Sequence, residues 1–90
     1  MGVSHIFRGK RFKVTFKAPK NKNHVGICDY EAKEITVSPK IEGVDRLDCI
    51  IHEAIHACLS DISDDAVNES STCIAKLLWK LGYKDQGENR

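Results

Sequence analysis

His52, Glu53 and His56 form the run His-Glu-Ala-Ile-His inside "IIHEAIHACLSDISDDAVNES", residues 50–70. On a helix, residues four apart share one face a turn apart, so both imidazoles can reach the same ion. A catalytic Zn2+ takes three protein ligands and keeps a fourth position open. Glu53 points to the neighbouring face. It is too far round to be the third ligand, but it stands beside a water on the ion. Zinc lowers the pKa of such a water toward ~7, and a carboxylate can take its proton. The spacing therefore encodes two metal ligands, His52 and His56, and a general base, Glu53. The bland alternative is two surface histidines and a solvated glutamate. The amphipathic helix around them, with both histidines at the edge of its apolar face, weighs against it.

The elements that must position these residues are legible in the hydropathy pattern. "KRFKVTFK", residues 10–17, alternates Phe12, Val14 and Phe16 against Arg11, Lys13, Thr15 and Lys17, the mark of a half-buried strand. "VGICDY" and "EITVS" predict two more strands joined as an antiparallel hairpin around "YEAKE". Pro39 and Gly43 break the chain. Asp45 predicts an N-cap, opening a helix from about Arg46 to Ser60. Its apolar face is Val44, Leu47, Ile51, Ala54, Ile55, Cys58 and Leu59, with Glu53 turned away from the core. Ser63 caps a second helix, Asp64 and Asp65 suit its positive first turn, and Gly82 stops it after about Leu81. The short link "DIS" makes the two helices antiparallel neighbours. The expectation is an α+β fold: a small, mainly antiparallel three-stranded sheet followed by two antiparallel helices packed on one face. Residues 1–9 and 84–90 read as flexible tails of a single domain spanning 1–90.

The third ligand follows by elimination. No histidine occurs after His56, so a downstream histidine is excluded; Leu59 and Ile62 stand where a Gly and a His would complete the longer three-histidine pattern. The downstream carboxylates are Asp61, Asp64, Asp65 and Glu69. Asp61 lies on the far side of the first helix. If the helices fold back around residue 62, His56 lies level with about residue 68 and His52 with about residue 72. Glu69 then falls between the two histidines and is the expected ligand, with Asp65 the runner-up and a solvated Glu69 the alternative.

"HEAIH" followed by a helix bearing "NES" (Asn68, Glu69, Ser70) resembles the gluzincin clan of zinc metallopeptidases, in which a downstream helical glutamate completes the site. The small size and element order resemble the minimal single-domain forms, the minigluzincins, and small HExxH proteins encoded by phages. The resemblance covers about residues 10–83, but its specific part is His52, Glu53, His56 and Glu69. It implies a zincin-like fold with an active-site helix and a glutamate helix, and Zn2+ held by His52, His56 and Glu69. It implies peptide-bond hydrolysis with Glu53 as general base, and a peptide or protein substrate paired along an edge strand. That strand is expected to be "EITVS", through Ile35, Thr36 and Val37. It also implies that activity can be latent, with "DQGENR" or "MGVSHIFRGK" blocking the groove. The chain departs from the large gluzincins at Cys73, which stands where they carry an acid, and it has no residue matching their oxyanion-stabilising Tyr or His. Tyr30, Tyr83 and His24 could serve by chemistry.

Length and composition set the outer bounds. Ninety residues, 41% hydrophobic and 30% charged with net charge +1, describe one small soluble domain whose core is marginal without added constraints such as a metal. No apolar run is long enough to span a membrane, and the N-terminus lacks the apolar segment of a secretion signal. The expected compartment is the cytoplasm (that of the host, if the chain is phage-encoded). Cys28, Cys49, Cys58 and Cys73 form no C-x-x-C pair and read as reduced thiols. Residues 1–22 hold seven Lys or Arg and no acid. That asymmetry supports the alternative function: a zinc-stabilised, non-enzymatic module binding protein or nucleic acid through a basic strand face.

Overall fold

The computed structural model describes residues 2–20 and 24–84. The chain runs through four strands, β1 (Gly2–Phe7), β2 (Lys10–Phe16), β3 (Gly26–Asp29) and β4 (Glu34–Val37), and then two helices, α1 (Gly43–Cys58) and α2 (Asp64–Lys80). The α+β class and the strands-then-helices order stand as expected. The sheet is larger than expected and differently wired.

β1 covers residues expected to be a flexible tail. It pairs antiparallel with β2 from Gly2↔Thr15 to Phe7↔Lys10, so the N-terminal segment "MGVSHIFRGK" is largely sheet rather than a free plug. The counterpart "DQGENR" lies outside the described residues. The signal missed here is the hairpin turn Arg8-Gly9, where both residues adopt positive φ, as two-residue hairpin loops require.

The strand order is β1-β2-β4-β3. β3 and β4 form the expected antiparallel hairpin, but β4 inserts beside β2 in parallel, Lys13↔Glu34 through Phe16↔Val37. The sheet is therefore mixed. Ile35, Thr36 and Val37 lie in its interior with neighbours on both sides, so the expected substrate edge is not there. "ITV" is three consecutive β-branched residues, all buried. An unbroken apolar run of that kind marks a strand enclosed by its neighbours, whereas an exposed edge more often alternates. The free edge on this side of the sheet belongs to β3.

The core is Phe12, Val14, Ile35 and Val37 from the sheet with Cys49 and Ala57 from α1, extended by Phe16, Ile41 and Ile50. α1 thus turns the Cys49–Glu53–Ala57 row toward the sheet, and these three are its buried residues. The expected face is only half-buried from Val44 to Cys58, and its last member, Leu59, is exposed. The reason is close approach: a Cβ added at Gly26 would lie 2.6 Å from Cys49 Sγ and 3.1 Å from Glu53 Oε2. Glycine in β3 and small residues on α1 let helix and sheet meet with Glu53 between them.

α1 starts two residues before the expected Asp45 cap, behind Glu42, which makes no side-chain cap bond, and it ends at Cys58 rather than Ser60. α2 has the expected cap and stop, but Ile74, Leu77 and Leu81, which the periodicity places on its apolar face, are exposed. Ser63 Oγ accepts from the Ala66 N–H at 3.2 Å. At the other end, the Tyr83 N–H donates to Leu78 O and the Gly82 N–H to Trp79 O, the two bonds of a Schellman stop with Gly82 at φ +93°. Within α2, Val67, Ser71 and Ala75 are the buried residues.

Candidate metal centre

A ladder of polar side chains joins the two helices. Asp48 Oδ2 accepts from the Thr72 hydroxyl at 2.9 Å, and Asp48 Oδ1 from the Ser71 hydroxyl at 2.7 Å. One turn on, the Asn68 side chain stands opposite His52, where it opposes the lowering of the His52 pKa. One turn further, His56 Nε2 lies 3.1 Å from Asp64 Oδ1. Each step advances α1 by four residues and retreats α2 by four, as two antiparallel helices in fixed register must.

The last two rungs bring His52, His56 and Asp64 together, with one ligand atom from each lying within 4.8 Å of the others. The histidine rings are 4.9 Å apart between centroids and inclined at 63°. Two imidazole nitrogens and a carboxylate oxygen are a donor set that holds Zn2+ at ~2.0–2.2 Å, and Asp64 is exposed while both histidines are half-buried, so the cluster faces solvent on one side. The residues present fit a divalent metal. Burial first, then the neighbouring His56, lower the His52 pKa, and a neutral imidazole is the form that ligates.

Glu69, the carboxylate expected as the third ligand, is exposed on α2 and is absent from this cluster, as is exposed Asp65. The register explains the difference. α1 ends two residues earlier than expected, so the hairpin folds back near residue 60 instead of 62. His52 then pairs with residue 68 rather than 72, and His56 with residue 64 rather than 68. Glu69, about 100° around the helix from Asn68, is left off the shared face. Asp64 holds the rung that faces His56.

Glu53 is where the HExxH spacing requires it, beside the histidines, but it points inward rather than away from the core. It is 6% exposed. Burial, followed by the charge of Asp64, pushes its carboxyl up to about 7. Glu53, His52, His56, Asp64 and Asn68 all line one cavity of about 400 Å³ that opens along β3, with Ile27, Cys28 and Tyr30 on its other wall. His24 also lines it, whereas Tyr83 lines a separate groove beside Trp79.

All four cysteines are free thiols. Burial, then Glu53, raise Cys28 to about 11 and Cys49 to about 12, so both are neutral thiols in the metal-free chain near neutral pH. Cys73 is exposed on α2. On the basic strand, Lys17 Nζ lies 3.6 Å from Glu34 Oε2, while Arg11 and Lys13 are exposed.

Gly26, Ile27, Cys28, Asp64 and Asn68 are the site-lining residues that sequence reasoning did not select. The expected register favours Glu69 over Asp64 among the downstream carboxylates, and the position of Cys28 depends on β3 being the edge strand. No family model, curated protein or solved structure matches this chain.

Proposed function

We propose that the chain is a zinc-dependent metallopeptidase whose metal is held by His52, His56 and Asp64, with Glu53 as general base. The observation that carries this reading is the convergence of the three donors on the same cavity wall as a buried carboxylate whose pKa is close to neutral. A structural metal site has no use for that carboxylate, whereas a hydrolytic site needs a base whose pKa lies near the working pH.

When bound, the metal would supply Lewis acidity, polarising a substrate carbonyl and acidifying a water. Glu53 takes a proton from the attacking water and returns it to the leaving amine, so the proton stays inside the site. Asn68, beside His52 in the same cavity, can accept a hydrogen bond from the ring nitrogen that does not ligate and so hold the ring in place. Tyr30, at the opposite wall, can donate its phenol to the developing oxyanion; its raised pKa, from burial first, keeps that proton in place near neutrality. The substrate backbone pairs with the free edge of β3, Gly26–Asp29, in place of the interior Ile35–Val37.

The test is metal-dependent cleavage. An unfolded protein substrate incubated with the zinc-loaded chain should be cut, a chelator should stop cleavage, and zinc should restore it. Cleavage that is indifferent to chelation, or that never appears with one equivalent of zinc bound, would remove the reading.

A further inference from the structure

A second groove, of about 660 Å³, begins where the metal cavity ends, because Tyr30 lines both. Its floor includes Phe12, and its rim carries Arg8, Lys10 and Lys33 against the single acid Asp61. Arg8 Nη1 donates to Cys58 O at 3.1 Å, at the negative end of α1, which fixes the guanidinium and leaves its other donors available. Lys33 Nζ donates to the carbonyl of Tyr30 at 3.3 Å, so this cation sits at the junction of the two cavities. Arg8 and Lys33 are also the two non-glycine residues with positive φ among the described residues, at +50° and +55°. Glycine or asparagine takes that conformation with less strain. At both turns a long cation stands instead, and both cations line the same groove.

We infer that this groove is the specificity subsite of the proposed peptidase and takes a carboxylate of the substrate, an acidic side chain or the C-terminal carboxylate, beside the bond held at the metal. The inference rests on the metallopeptidase reading for its role in cleavage. The groove's preference for a carboxylate rests on its own cations. Seven Lys or Arg and no acid in residues 1–22 add a field that favours anionic peptides on approach.

The experiment measures binding separately from cleavage. The full chain carrying Glu53→Gln, loaded with zinc, is titrated by fluorescence anisotropy with three labelled decapeptides. The first has internal Asp and Glu and an amidated end, the second is neutral with a free C-terminus, and the third is neutral and amidated. The same titrations use Lys10→Gln/Lys33→Asn in that background, Asn being compatible with the left-handed turn, and the parent chain in chelator. One or both carboxylate peptides should bind about 10-fold more tightly than the neutral amide, and the preference should vanish in the double variant. Which of the two binds identifies the source of the carboxylate. Equal affinity for all three peptides, no binding of any, or an unchanged preference in the double variant would overturn the inference. Cleavage by the parent is scored apart: selective binding without any cleavage keeps the groove and discards the peptidase.

Discussion

At the scale of single residues, the site combines one carboxylate exposed at a helix start with one buried beneath a strand, and the two have different tasks. Asp64 reaches His56 from the first turn of α2. Its replacement by alanine should weaken zinc binding on the order of 100-fold, whereas Glu69→Ala should leave it unchanged; competition against a chromophoric chelator reads both. Glu53 carries a pH signature in the metal-free chain. Its carboxyl is raised from 4.5 to about 7 on folding. Across that window the folded chain keeps on Glu53 a proton that the unfolded chain has released, so the Glu53 contribution to stability falls as pH rises from about 4.5 to 7, while His52, with its lowered pKa, contributes in the opposite direction. Below the window both states are protonated and the difference disappears. Glu53→Gln should therefore match the parent at pH 4 and exceed it at pH 8, by roughly 1–3 kcal/mol, in urea melts of metal-free protein. A difference between Glu53→Gln and the parent that does not grow across that window would refute the buried placement. His52, Glu53 and His56 were legible as a chemical unit because local spacing on one helix decides their geometry. Asp64 was not, because its selection over Glu69 hangs on where α1 ends.

At the scale of elements, the fit of α1 to the sheet depends on Gly26. A Cβ there would collide with Cys49 Sγ and crowd Glu53. Gly26→Ala should destabilise the fold by about 1–3 kcal/mol and displace the base, lowering any cleavage rate more than zinc affinity; thermal melts and metal titration separate the two effects. Ser63→Ala removes the cap on α2 and should cost about 1 kcal/mol. It also loosens the turn that carries Asp64, so zinc affinity should fall with it. Both helices and three of the strands were readable from hydropathy, β2 by its alternation and β4 by an unbroken β-branched run, although the row that α1 turns to the sheet was not. β1 was not: its residues are mostly exposed, so burial leaves no alternation in its sequence and pairing with β2 supplies the order. The parallel β2–β4 pairing was also hidden, because strand order depends on contacts distant in sequence.

At the scale of the whole molecule, a small core packs against a helical hairpin that carries the His52–His56–Asp64 cluster. The fully buried large side chains are few, Phe12, Ile35, Val37 and Val67, and no helix among the described residues is long and apolar enough to cross a membrane. Zinc binding the folded chain alone should raise its stability by about 2.7 kcal/mol at a free concentration of 100 Kd, shifting the thermal midpoint upward, an effect that Asp64→Ala should remove. The cavity at the histidines, the edge of β3 and the basic groove lie on adjoining walls joined at Tyr30; under the proposed function they would give a short extended peptide a continuous path. The measurement that bears most directly on this account is peptide hydrolysis by zinc-loaded parent and Glu53→Gln chains, with zinc content determined in the same samples. The account predicts one zinc in each, cleavage by the parent, and a rate at least about 100-fold lower in the variant. Equal rates with equal zinc would contradict it.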